Sequence, residues 1–362
     1  MTHKIICLDC QAVAEPLDWR CTACGGILDF ETMPSFSAET INTSDTSIWR
    51  YQDWMGIEQK VSLGEGLTPL VKTQVNDYDI LAKLEYLNPT GSYKDRGTSS
   101  LINHIASYDV PEVIDDSSGN AGASLAAYAS ALGIKSRIFV PKDGSESKKA
   151  LIKAFGGTLA EIAGAQHNKT IACHEAAPST TYASHAWSPF FLLGQITAGF
   201  EIWEQTKPSI PDAIVTPVGH GALFLGIARA FQLLKSANLV ETVPKMIAIQ
   251  SDRIDPVVQG YEQHLDIPPV VNERERTVAD GIMVNQPVRG KEVLATIRNT
   301  GGASFRVDEA SILQARQALA EKGLIVEHTS AVTVAALPQV MAHVGENAKV
   351  VCCLTGNGLK KI

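Results

Sequence analysis

Short apolar runs alternate along most of the chain with longer stretches whose apolar residues recur about every 3.6 positions. Residues 79–85 (DILAKLE), 112–115, 137–140, 213–216, 246–250 and 349–354 read as strands. Helical spacing covers the stretch after Lys94, then 121–132 (alanine-rich, closed by Gly133), 147–155 (stopped by Gly156 and Gly157), 222–236, 311–322 and 330–343. This alternation predicts an α/β fold with mostly parallel sheets. Residues 31–60 mix Ser, Thr, Asp and Trp without period and read as a linker carrying packed aromatics, Trp49, Tyr51 and Trp54. No internal repeat or low-complexity segment occurs.

In such folds ligands gather where strands end and helices begin. Four loops have that address and suitable chemistry. In Asn88-Pro89-Thr90-Gly91-Ser92-Tyr93-Lys94-Asp95-Arg96-Gly97, Lys94 sits between a proline- and glycine-bearing turn and a helical pattern. Such a junction would present a Schiff-base lysine to an aldehyde cofactor, or simply place a solvated lysine in a first helical turn. Ser117-Ser118-Gly119-Asn120 offers hydroxyls, an amide and free helix-start N–H groups to an anion such as a carboxylate. Val218-Gly219-His220-Gly221-Ala222-Leu223 lets backbone amides close around a phosphate, and with no Walker lysine it argues against nucleotide hydrolysis. Leu354-Thr355-Gly356-Asn357-Gly358 holds one hydroxyl at a strand end.

The N-terminus adds a separate chemistry. Cys7-x2-Cys10 and Cys21-x2-Cys24 are two tight thiol pairs. Four sulfurs so spaced suit tetrahedral structural zinc, with rubredoxin-like iron as the chemical rival. All four positions would be sulfur, so no open site is left for catalysis. Cys173, Cys352 and Cys353 lie in apolar or helical runs and read as core. Cysteine pairs suited to metal, with no apolar leader in MTHKIICLDC, predict a cytoplasmic protein. The formal charge of -8 argues against a nucleic-acid partner, and no apolar run is long enough to span a membrane. At 362 residues, 45% hydrophobic, the chain can bury the cores of two or more domains.

A lysine, a phosphate cradle, an anion-binding helix start and a lone hydroxyl together suit pyridoxal phosphate. NPTGSYKDRG, SSGNAGAS, VGHGALFLG and LTGNGLK, with the earlier GEGLTPL at Gly64 to Leu70, resemble the threonine synthase-like family of fold-type II enzymes, within the tryptophan synthase beta superfamily. The resemblance covers about residues 60–362, with a zinc-ribbon extension ahead of it. It implies two α/β lobes with mostly parallel sheets plus the ribbon: 1–30 ribbon, 31–87 linker and start of the large domain, 88–185 small domain, 186–362 large cofactor domain. It implies that Lys94 is the Schiff-base lysine and moves the substrate's α-proton. Asn120 would bond the cofactor's ring hydroxyl, and Gly219, His220, Gly221, Ala222 and Leu223 would wrap its phosphate. Thr355 would face the pyridine nitrogen. Ser117, Ser118, Asn120 and His185 would line the substrate, and Cys7, Cys10, Cys21 and Cys24 would hold zinc. A hydroxyl cannot hold a proton on the pyridine ring as a carboxylate would. That favours elimination or replacement at the β or γ carbon over transamination.

The implied activity is conversion of O-phosphohomoserine and water to threonine and phosphate, by a homodimer acting on a small amino acid. The chain departs from that pattern where familiar members read N-S-x-N-P-Y-R-x-x-G-Q-K-T. Here the stretch is His185-Ala186-Trp187-Ser188-Pro189-Phe190-Phe191-Leu192-Leu193-Gly194-Gln195-Ile196-Thr197, so Phe191 takes the arginine's place. His220 replaces the Asn of VGN, and Ala121 replaces the Thr after SSGN. Each charge-assisted bond an arginine fork gives to phosphate is worth roughly 1.5–3 kcal/mol. The substitutions therefore leave room for a serine/threonine dehydratase-like or cysteate-synthase-like reaction. A non-catalytic, phosphate-ligand-binding ribbon protein is the reading from another class.

Overall fold

The computed structural model describes residues 3–164, 167–271 and 276–361. The chain divides into two compact units: Met1–Leu67, Asn88–Thr90 and Lys94–Gly194 form the first, and Thr68–Leu87, Gly91–Tyr93 and Gln195–Ile362 the second.

The first unit is built on a four-stranded parallel sheet in the order Thr158–Ile162, Lys135–Pro141, Glu112–Asp115, Thr181–Tyr182. The apolar residues of EVID are buried, as a central parallel strand requires. The Asn120–Ala131 helix packs closely because its sequence is small and helix-favouring, with Ala121, Ala123, Ala126 and Ala129 all buried. Gly122 is obligatory there: a Cβ would lie 2.0 Å from the Ser117 carbonyl oxygen. The Lys94–Ile105 helix is buried over nearly its whole length despite carrying Asp95, Arg96, Thr98, Ser99, Ser100 and Asn103. Several of its polar groups are paired internally. Glu65, fully buried, accepts from Trp49 Nε1 at 3.0 Å, Ser99 Oγ at 2.5 Å and Tyr128 OH at 2.7 Å. Asn103 accepts from the Val61 amide at 2.8 Å and donates back to the Val61 carbonyl at 2.8 Å. Trp49, Tyr51 and Trp54 are buried, so the aromatics of the 31–60 stretch do pack.

The N-terminal hairpin pairs Ile5–Cys7 antiparallel with Leu28–Phe30. It is held by aromatics to the rest of its unit. Phe30 meets Phe190 edge-on at 5.2 Å, and Trp19 lies edge-on to both Tyr182 and Trp187. His104 stacks on Phe190 at 3.4 Å and donates to the Pro16 carbonyl at 2.9 Å. Burial pushes its pKa down to about 4, against the pull of that hydrogen bond, so the stacked ring is neutral.

The second unit holds a six-stranded sheet ordered Ala303–Val307, Lys245–Ser251, Ala213–Pro217, Val350–Cys353, Tyr78–Lys83, Leu70–Val75. All pairs are parallel except the last, an antiparallel hairpin. Its turn is Asn76-Asp77, both at positive φ, the two-residue loop that matches strand twist. No apolar run marks Leu70–Val75 in the sequence, because only Val75 of its six residues is buried. The 330–343 pattern resolves into two helices, His328–Ala335 and Leu337–Val344, since Pro338 cannot continue the first ladder. Among the described residues no helix is long and apolar enough to cross a membrane.

Candidate active site

In the first unit Lys94 is the first residue of its helix. The turn before it is tied down by Asp95, whose carboxylate accepts from the Thr90 amide at 2.7 Å, the Thr90 hydroxyl at 2.5 Å and Ser124 Oγ at 2.6 Å. Burial raises the Asp95 pKa to about 6 although these three donors pull the other way. One carboxylate thus joins the lysine's turn, the lysine's helix and the Asn120–Ala131 helix. Lys94 Nζ stands 5.6 Å from the centre of the Phe191 ring, itself 1% exposed.

Ser117, Ser118, Gly119 and Asn120 form the half-buried loop leaving Glu112–Asp115. Asn120 opens the next helix, and Gly119 ahead of it gives no side-chain cap, so the helix's first N–H groups are not capped by that residue. His185 follows the neighbouring strand and places Nδ1 3.5 Å from Asp115 Oδ1. Its ring is edge-on to Phe191 at 6.1 Å. Asp116 accepts from Tyr182 OH at 2.7 Å and Thr170 Oγ1 at 2.5 Å, with Lys169 at 3.8 Å. Burial alone would raise its pKa, but the Lys169 ammonium, those hydroxyls and His185 outweigh it and bring it to about 2. The first unit therefore carries Lys94, Ser117, Ser118, Asn120 and His185. No sequence pattern marks Asp115 or Glu65 as supports, and Asp95 is marked only by its place directly after Lys94.

In the second unit Ala213–Pro217 runs into Val218, Gly219, His220 and Gly221, and then into the Ala222–Ser236 helix. Gly221 is the residue before the helix, at φ 98, and supplies no side-chain cap. A Cβ there would be strained and would meet Val293 Cγ2 at 2.5 Å. Gln250 braces the loop by donating to the Val218 carbonyl at 3.0 Å, and His220 Nδ1 accepts from the Val288 amide at 3.4 Å. The same unit holds Thr355, 3% exposed, with its hydroxyl 3.1 Å from Ser330 Oγ. The Thr355 carbonyl accepts from the Tyr93 amide at 3.1 Å, and Ser92 bridges to Gly356. The buried Ser92 hydroxyl has no hydrogen-bond partner among the described residues. Tyr93, held by its bond to Thr355 within the second unit, is the residue before Lys94 in the chain. An uncapped, glycine-fronted helix start and an orphaned buried hydroxyl are donors of the kind that a phosphorylated, polar-ringed cofactor requires. The residues fit the group.

Cys7, Cys10, Cys21 and Cys24 converge, their four Sγ atoms all lying within 4.8 Å of one another. The Cys7–Cys24 and Cys10–Cys21 sulfurs are 3.5 and 3.6 Å apart, and all four are free thiols. Tetrahedral sulfur around zinc at about 2.3 Å places ligands about 3.8 Å apart, so the cluster is shaped for a metal ion. The Cys24 amide directed at Cys21 lowers that thiol to about 7, while hydrogen bonds among the clustered sulfurs raise the Cys10 and Cys24 thiols.

Residues 61–356 match the family described as pyridoxal-phosphate dependent enzyme. The threonine synthase of Methanocaldococcus jannaschii is 31% identical over 360 residues, spanning 93% of this chain and 87% of its own. That of Methanosarcina acetivorans is 30% identical over 379 residues, spanning 99% and 92%. Among solved structures, a threonine deaminase from T.th. is 25% identical at TM-score 0.68, over 80% of this chain and 92% of that one. A pyridoxal 5'-phosphate-dependent aspartate racemase, 23% identical at TM-score 0.70 over 81% and 92%, shares the fold.

Proposed function

The chain belongs to the pyridoxal-phosphate dependent enzymes of fold type II, on their threonine synthase-like side, and from that premise we propose that it converts O-phosphohomoserine and water to threonine and phosphate. The observation that carries the reading is the place of Lys94: first residue of a buried helix, one peptide bond beyond the backbone that pairs with Thr355. Bound pyridoxal phosphate would supply an electron sink for charge developing at the substrate's α-carbon. The Lys94 amine would take and return the α-proton. The amides of Gly219, His220, Gly221, Ala222 and Leu223 would hold the cofactor phosphate, Asn120 its ring oxygen and Thr355 its ring nitrogen. Ser117, Ser118 and Asn120 would receive the substrate carboxylate.

A second reading draws on Phe191. It is a buried aromatic beside Lys94 where familiar phosphohomoserine enzymes carry arginine, which favours removal of an uncharged hydroxyl from serine or threonine. Purified protein mixed with pyridoxal phosphate should show a visible band that borohydride removes; a colourless product would end both readings in favour of a non-catalytic binding protein. Phosphate released from O-phosphohomoserine identifies the first reaction. Ketoacid and ammonia from serine or threonine, without that phosphate, identify the second. A homodimer is the assembly expected by analogy with the family.

For the four-cysteine cluster we propose structural zinc. One zinc per chain is expected by elemental analysis, and rubredoxin-like colour would show iron in its place. Stripping the metal should lower the melting temperature and quench or shift Trp19 fluorescence, because the hairpin's aromatic docking depends on the two cysteine turns. An unchanged melting curve after complete removal would deny the site a structural role.

A further inference from the structure

The strands Glu112–Asp115 and Thr181–Tyr182 are parallel neighbours, paired at Val113–Thr181 and Ile114–Tyr182. Their C-terminal ends share one edge, the edge at which ligands bind in open α/β sheets. Asp115 ends the first strand with 1% exposure. Its Oδ1 lies 3.5 Å from His185 Nδ1, while its Oδ2 is buried with no hydrogen-bond partner among the described residues. A buried carboxylate oxygen left unpaired is costly unless function keeps it there. Holding a proton on Nδ1 is what such a carboxylate does for an imidazole, and 3.5 Å is the long spacing common to catalytic hydrogen bonds ahead of ligand binding. His185 keeps 15% exposure and packs on Phe191, the ring that Lys94 Nζ also approaches. The amine and the imidazole therefore both approach one buried aromatic. Among the described residues, the carboxylates of Asp115 and Asp116 face His185, and the charge of Asp116 is met by Lys169.

Resting on the cofactor reading above, we propose that His185 is the acid that serves the departing oxygen of the substrate and that Asp115 is its positioning residue. For a β-substituted amino acid the Lys94 amine takes the α-proton. The electron pair left at the α-carbon forms the carbon–carbon double bond as the β-carbon–oxygen bond breaks. His185 acts as the imidazolium, its Nδ1–H on Asp115. It gives the Nε2 proton to the leaving oxygen, is left as the Nδ1–H imidazole and takes a new Nε2 proton from solvent. The substrate class is an amino acid with an oxygen leaving group, either a hydroxyl or a phosphate ester. Where that oxygen is on the γ-carbon, as in O-phosphohomoserine, the Lys94 amine, once rid of the α-proton, also takes a β-proton. The β,γ double bond then forms as the γ-carbon–oxygen bond breaks, and His185 protonates that oxygen in the same way.

The test uses the full-length chain loaded with pyridoxal phosphate, as wild type, His185→Gln, Asp115→Asn and Asp115→Glu. Serine, threonine, O-phosphoserine and O-phosphohomoserine are supplied across the acid and neutral pH range. His185→Gln should keep the visible cofactor band and KM while kcat falls about 10²–10⁴-fold and the limb of the pH profile due to the acid disappears. Asp115→Asn should lower kcat less and shift that limb, and Asp115→Glu should recover part of the loss. Nitrogen NMR of labelled histidine, read without substrate, should find the Nδ1–H form in wild type and a mixture of tautomers in Asp115→Asn. Turnover of the hydroxy substrates or of the phosphate esters tells which oxygen leaves. Unchanged kcat and pH profile in His185→Gln, an unchanged tautomer in Asp115→Asn, or turnover of none of the four substrates overturns the proposal. Absence of the visible band in wild type would instead fault the cofactor reading, and the tautomer measurement still judges the Asp115–His185 pair.

Discussion

Replacing Lys94 with alanine is expected to abolish turnover while leaving the fold in place. The amine is a flexible base at the start of the buried Lys94–Ile105 helix, and losing a positioned general base costs about 10²–10⁴-fold or more in rate. Alanine is the best helix former, so the helix start should tolerate it. The turn itself is held by Asp95 through Thr90 and Ser124, none of which Lys94→Ala removes. Circular dichroism and the melting temperature should match wild type. The borohydride-sensitive band should vanish even with excess pyridoxal phosphate, because the amine that makes the Schiff base is gone. Near-normal turnover in this variant would remove Lys94 from the mechanism, and with it the reason for reading the neighbouring loops as cofactor contacts.

The largest stability effect is expected at Lys83. Its ammonium lies inside the second unit and donates to Glu201 at 2.8 Å, the Thr68 carbonyl at 2.7 Å and Gln205 Oε1 at 3.0 Å. Lys83 and Glu201 side chains are both 0% exposed. Lys83→Met keeps the volume and removes the charge, leaving the Glu201 carboxylate in the interior without its cation. Breaking a buried pair on one side costs about 3–5 kcal/mol. The urea midpoint should fall accordingly. Lys83→Met/Glu201→Leu should recover most of the loss, since an apolar pair of similar size avoids burying any charge. If the single change leaves the midpoint where it was, or the double change is as weak as the single one, the ion pair is not what holds this strand to the Pro189–Thr206 helix.

Much of the site's vocabulary was legible because it is local. Lys94, the Ser117–Asn120 loop, Gly219 to Leu223 and Thr355 all sit at strand or helix ends that glycine, proline and periodicity announce over a few residues. The four cysteines were legible for the same reason: two short turns bring each pair together, and the hairpin then joins the pairs. The supports were not legible. Glu65 reads as an ordinary acidic residue in a glycine-bearing loop, yet it is buried beneath Trp49, Ser99 and Tyr128. Leu70–Val75 has no apolar run, and only its pairing with Tyr78–Lys83 makes it a strand.

The sequence alone pointed to the cofactor class, through motifs that add up along the chain, and to the alternation of strands and helices, since each motif and each element is marked by residue types within a turn or two of each other. Only the tertiary structure decided the order of the strands, the burial of Lys83 beside a residue 118 positions away, and the meeting of Asp115 with His185 across 70 positions. Those facts turn on which segments become neighbours when the sheets form. A charged residue in a strand pattern carries no local mark of whether water or another charge will face it.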